Sequence, residues 1–170
     1  MIMIKDFFEK GFEITWTLLN IGFEGSTKFK RQLNGQDIIN YAITKMEDDV
    51  ETLDVVLLAS SHIANTEEIS ELLKKLSNSE KVNADIEFRK WRAMYVSKHL
   101  PDIQNECIQG LIELGDIWVM FDFPDDSPHV FQGRNNTITP EEYYTQENYE
   151  RLLEIHREWL DKEFDDLRKK

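Results

Sequence analysis

Ile103-Gln-Asn-Glu-Cys-Ile-Gln-Gly-Leu-Ile-Glu-Leu-Gly-Asp-Ile-Trp-Val-Met-Phe121 is the stretch on which the fold class turns. Its apolar residues Ile103, Cys107, Leu111, Leu114, Trp118 and Phe121 step by four, four, three, four and three, the spacing that lines one face of a helix. A rival reading makes Ile117 to Phe123 a strand, paired with His129 to Gln132 across Pro124-Asp-Asp-Ser-Pro128, and Gly110 and Gly115 lend it support. The helical spacing is the longer and more regular signal. The expected class is therefore all-α, with one short β-hairpin near residues 117–132 as the competing detail.

The flanking segments read the same way. Upstream, Thr66 followed by Glu67 and Glu68 and then by Ile69, Leu72, Leu73 and Leu76 predicts an N-cap, acids in the first turn and an apolar stripe. A helix is expected from Asp37 to Met46, starting after Asn34-Gly35, and a buried one over Leu53 to Ile63. Another should run from Val82 to Leu100, with Ile86, Trp91, Met94 and Tyr95 turned inward, and stop at Pro101. Downstream, Thr139, Pro140 and Glu142 form a Thr-x-x-Glu capping box, and the helix it opens is expected to continue through Tyr149, Leu152, Ile155, Trp159 and Leu167. Ile14 to Ile21 is apolar on nearly every face and reads as a buried helix or a strand. The sum is a single helical domain over residues 1–170, with six or seven helices that stack in solenoid-like pairs.

Composition narrows the class of function. The 170 residues are 41% hydrophobic and 31% charged, a globular balance. The longest uncharged apolar stretch, Val55 to Ala64, is half of the about 20 residues a membrane-spanning helix requires. The amino terminus lacks a secretion-signal pattern, and the lone Cys107 suits a reducing compartment, so the cytoplasm is expected. Net charge is −13, and it is localised: residues 101 to 150 hold eleven acids against the single Arg134, a net −10. Such a field repels nucleic-acid phosphate and anionic lipid and attracts basic proteins.

Candidate chemistry is sparse. The four histidines, at 62, 99, 129 and 156, are far apart and form no metal-binding pair, and Gly22-Phe-Glu-Gly25 lacks the Lys-Ser/Thr of a phosphate loop. His62 reads as a satisfied or partly buried histidine rather than a catalytic base, following Ser60 and Ser61, which have no glycine elbow, and Cys107 reads as a small hydrophobe on the inward stripe. Asp122, Asp125, Asp126 and His129 are the one dense group of hard ligands, but their spacing matches no calcium loop, and a solvated acidic turn is favoured. No cofactor is expected. The acids of this region alternate with large aromatic side chains, the composition of a protein interface. Trp118 and Phe121 are expected in the core, and Tyr143 and Tyr144 at the surface.

Phe88-Arg-Lys-Trp-Arg92, a following helix and then Asp116-Ile-Trp-Val-Met-Phe-Asp-Phe-Pro-Asp125 resemble the bacterial family grouped as domain of unknown function 2247, with Phe123 where a tyrosine is common. The resemblance spans residues 10 to 130 and leaves the capped carboxyl-terminal helix outside. Small acidic members of that family look like the immunity proteins of polymorphic toxin systems, which implies a non-enzymatic inhibitor of a basic toxin. The expected partner is thus a basic protein, with a cognate toxin as the specific candidate; the acidic and aromatic composition of the region, and not the resemblance, points to Asp116, Asp122, Asp125, Asp126, Glu141, Glu142, Tyr143 and Tyr144 as the residues that bind it. The alternatives are a metal-dependent hydrolase built on Asp122, Asp125, Asp126 and His129, and a regulatory scaffold with a non-toxin partner.

Overall fold

The computed structural model describes residues 2–48 and 52–170, and among them are nine α-helices, one 3-10 turn and no strand. The helices gather into two units, one running to Trp91 and one from Arg92 to Lys169. No described helix is long and apolar enough to cross a membrane.

The first unit holds α1 (Ile4–Glu9), α2 (Trp16–Glu24), α3 (Gly35–Glu47), α4 (Leu53–Ser60), α5 (Thr66–Ser79) and the first half of α6 (Ala84–His99). The apolar segment at Ile14 to Ile21 is thus helical, opened by Thr15, whose hydroxyl accepts from the Leu18 N–H. Glu80, just past α5, supplies a second cap from far along the chain: its carboxylate accepts the Trp16 and Thr17 N–H groups, each at 2.9 Å. Two free donors at the start of α2 are satisfied in this way. α2 packs on α5, and α4 packs on both α3 and α5. Trp91, fully buried, closes the unit by donating its indole N–H to the Leu18 carbonyl at 2.7 Å, with the Phe7 ring edge-on at 4.6 Å. Position 22 must be glycine here, because a Cβ would lie 2.1 Å from the Trp91 ring.

The second unit holds the rest of α6, the 3-10 turn Leu100–Asp102, α7 (Cys107–Met120), α8 (Pro140–Tyr143) and α9 (Gln146–Leu167). α7 packs on α9 around Leu100, Leu111, Leu114, Tyr143, Tyr149 and Leu152. Gly110 is required at this crossing rather than in a hairpin, since a Cβ would stand 2.6 Å from the Tyr149 ring. α7 ends in a Schellman motif: the Phe123 N–H reaches the Trp118 carbonyl at 3.0 Å and the Asp122 N–H that of Val119 at 3.1 Å. Asp122 and Phe123 both take left-handed backbone, φ 61° and 53°, where glycine is usual.

Several expectations are corrected. The hairpin near 117–132 is absent among the described residues, because residues to Met120 continue α7 and the chain then turns through left-handed positions. Thr66 is the first residue of α5 and Asn65 precedes it as the cap position, without a side-chain cap bond. The α4 helix buries only Val55 and Leu58, leaving Leu53, Leu57 and the following Ile63 exposed. His62 lies exposed in the turn after α4, its Nδ1 accepting the Ala64 N–H at 3.2 Å. The Thr139–Glu142 capping box forms, but it opens only the four-residue α8. Tyr144 leaves helical backbone, Thr145 caps α9 afresh by accepting from the Asn148 N–H, and the Asn148 amide donates to the Tyr143 carbonyl.

Candidate functional site

The acidic region lies in the second unit and divides into an anchored loop and a helix face. The loop after α7 is fastened at Asp126. Arg92, buried on α6, donates from Nη1 to Asp126 Oδ1 at 2.8 Å and from Nη2 to Oδ2, while Nη2 lies 3.4 Å from Glu163 of α9. The guanidinium also rests over the Trp159 ring, 5.5 Å from its centroid. Farther along, Asn136 holds the turn by accepting from the Gly133 and Ile138 N–H groups and donating to the Phe131 and Arg134 carbonyls. Arg134, the lone base of the acidic window, stacks 4.1 Å over Phe123, which meets Phe131 edge-on. These side chains, with Asp125 and His129, line a cavity of about 370 Å³.

Two buried imidazoles lie beneath the loop, 5.4 Å apart. His156 is completely enclosed; its Nδ1–H donates to the Leu152 carbonyl at 2.6 Å and its Nε2 accepts the Trp118 indole N–H at 2.8 Å, so the ring is neutral. Burial pushes its pKa down to about 4. His129 shares a 3.1 Å hydrogen bond between Nε2 and the Tyr143 hydroxyl, and burial, aided by the neighbouring His156, lowers its pKa to about 3. Burial in turn raises the Tyr143 hydroxyl to about 12. Neutral rings of this kind are packing elements.

The helix face is the outer side of α7. Ile108, Ile112 and Val119, spaced by four and seven, are 50%, 43% and 40% exposed and form an apolar stripe opposite the buried Leu111, Leu114 and Trp118. Asp116 stands exposed beside it. This second stripe is legible in the sequence as a helical repeat, but the longer inward repeat on the same helix overshadows it.

The residues expected to bind a partner are not gathered into one cluster. Asp116 belongs to the α7 face, and Asp125 lines the loop cavity. Asp122 is exposed at the left-handed helix end, and Glu141 is exposed on α8. Asp126 is committed to Arg92, and Glu142 is exposed but its carboxylate accepts the Thr139 N–H at 2.9 Å. Tyr143 is corrected: at 4% exposure it is core, because the break after α8 turns it inward onto His129, while Tyr144 remains 37% exposed. The hydrolase set does not converge, since Asp126 faces Arg92 and His129 faces Tyr143. Among the described residues no three His, Cys, Asp or Glu side chains are placed to hold a metal ion. Cys107 is half-buried at the start of α7 rather than fully inward.

An all-helical chain with an anchored acidic loop is the class these observations define. The chain belongs to the family described as an uncharacterized protein conserved in bacteria (DUF2247), whose model matches residues 4–164. The match takes in most of α9 and so extends beyond the stretch that carries the resemblance in sequence. The Lys-Trp-Arg element of that stretch has a structural account: Lys90 pairs with buried Glu87 at 2.8 Å, Trp91 bonds the Leu18 carbonyl, and Arg92 holds Asp126. Neither curated proteins nor solved structures gave a match.

Proposed function

We propose that this protein is a non-catalytic binding module that takes a basic partner protein on the acidic second unit, as an immunity-type inhibitor takes its toxin. The observation that carries the reading is the exposed Ile108, Ile112 and Val119 stripe lying beside Asp116, within a window of net charge −10. An exposed apolar stripe with a charged border is the composition of a protein interface, in which apolar contact supplies affinity and charge speeds encounter. Tyr144 and the exposed carboxylates Asp125 and Glu141 belong to the same acidic window of the sequence and add to its charge and exposed aromatic area.

Co-expression with the polypeptide encoded beside this gene tests the reading. A neighbour that is basic, arrests growth alone, and is neutralised by the wild-type chain but not by Ile112→Lys supports it. A neighbour that is harmless and does not co-purify, or neutralisation that survives Ile108→Lys and Ile112→Lys together, overturns the toxin reading of this face.

A further inference from the structure

Next to the α7 stripe, between the carboxyl-terminal end of α6 and α7, lies a groove of about 280 Å³. This falls just below the roughly 300–1,000 Å³ of pockets that take drug-sized ligands, and suits one inserted side chain better than a cofactor. Its apolar lining includes Ile103, Ile117 and Met120. Tyr95 and His99 belong to the same lining, their rings flat on each other, centroids 3.9 Å apart and planes 15° apart, and the His99 Nδ1–H donates to the Tyr95 carbonyl at 2.9 Å, which fixes the pair. Three acidic residues, Asp102, Glu113 and Asp116, also line the groove, with no lysine or arginine among the described lining residues. Glu113 is held in place by the Gln104 N–H at 3.0 Å and the Gln109 amide at 3.1 Å.

We infer that this groove receives an arginine side chain of the basic partner, an inference that rests on the proposed function and names the residue that would anchor it. An arginine matches each part of the groove. Its methylene stem suits the apolar part of the lining, its flat and weakly hydrated guanidinium tolerates an apolar and aromatic surround, and its forked donors suit a lining that carries several carboxylates. A lysine ammonium is a strongly hydrated point charge and loses more on entering the same space. Asp116 lies both on the groove and beside the apolar stripe, so an arginine seated here leaves its backbone against α7.

The probe is N-acetyl-arginine amide, titrated into the full chain at low ionic strength and followed by nuclear magnetic resonance, with the lysine and citrulline amides as controls. Saturable shifts are expected at Tyr95, Ile117 and Met120, with at least fivefold weaker binding of the lysine compound and none of neutral citrulline. Asp102→Asn with Asp116→Asn should weaken binding at least tenfold, Met120→Arg should abolish it, and Asp125→Asn with Glu141→Gln should leave it unchanged. Citrulline binding equal to arginine, unchanged affinity in the Asp102/Asp116 variant, or equal losses in the Asp125/Glu141 variant each overturns the inference. If the groove rejects arginine while the neighbouring gene product still binds the Ile108–Val119 face, this inference fails and the proposed function stands. Arginine binding with no basic protein partner gives the reverse.

Discussion

Asp125 and Asp126 are adjacent and alike in charge, yet their surroundings separate them. Asp125 is exposed at the lip of the loop cavity, whereas Asp126 is bonded through both oxygens to the buried Arg92. Removing one partner of a buried charge leaves the other uncompensated, so Asp126→Asn should lower stability by about 2 kcal/mol, discounted from the fully buried case because Asp126 is itself half exposed. Asp125→Asn should stay within about 0.5 kcal/mol. Urea denaturation of the two variants checks this, and equal midpoints would show that the Arg92 contact contributes nothing. The buried imidazoles give a second test. Their folded pKa values, about 3 for His129 and about 4 for His156, lie below the ordinary 6.5, so above pH 6.5 they leave stability unchanged. As pH falls through 6.5 the unfolded chain takes up protons that the folded chain refuses, and stability declines until the folded values are reached. By pH 5 the loss should be about 2 kcal/mol for each ring. Denaturation at pH 7 and pH 5 should show it, with a smaller drop in His156→Gln; identical stability at the two values would contradict the burial of both rings.

At the scale of elements, α2 depends on a residue that its own segment does not contain. Thr15 caps it locally, but the Trp16 and Thr17 N–H groups go to Glu80, more than sixty residues along the chain. Glu80→Ala should therefore cost about 1–2 kcal/mol, the range of a missing helix cap, and hydrogen exchange at Trp16 and Thr17 should quicken more than at Leu73. Unaltered protection at both amides would mean that water replaces the carboxylate without loss. The α8–α9 break has the same character. A capping box is a signal spanning four residues and reports where a helix begins; nothing in it reports how soon that helix stops. Here the stop comes after Tyr143, because the Asn148 amide takes its carbonyl and Thr145 starts a new helix with its own side chain.

For the whole molecule, charge and apolar contact should separate in binding kinetics. Asp116→Asn, Asp125→Asn and Glu141→Gln together remove three exposed charges and avoid both the Arg92 anchor and the Thr139 cap. With a basic partner, this variant should associate more slowly and with a shallower salt dependence, at nearly unchanged dissociation. Tyr144→Ala should instead speed dissociation, about tenfold for each 1.4 kcal/mol of binding energy that its ring supplies. Tyr143→Ala should lower stability by about 3 kcal/mol through its place in the core. Stopped-flow association at two salt concentrations distinguishes the kinetic outcomes; an unchanged rate and slope in the triple variant would place the partner on another face.

The sequence by itself determined what depends on near neighbours. The four-and-three spacing from Cys107 to Trp118 made α7, Asn34 and Thr139 opened α3 and α8, and eleven acids against one arginine made the 101–150 region negative whatever its shape. Each of these signals is complete within a few residues or is a count. Only the tertiary structure decided which side chains are committed to a partner elsewhere in the chain. Asp126 meets Arg92 across 34 residues, Tyr143 meets His129 across 14, and Trp118 meets His156 across 38. Such pairings are set by packing between elements, for which helical phase gives a face but not a partner. Gly110 shows both kinds of constraint, since a Cβ there would stand 2.6 Å from the Gln104 carbonyl just upstream and 2.6 Å from the Tyr149 ring of another helix.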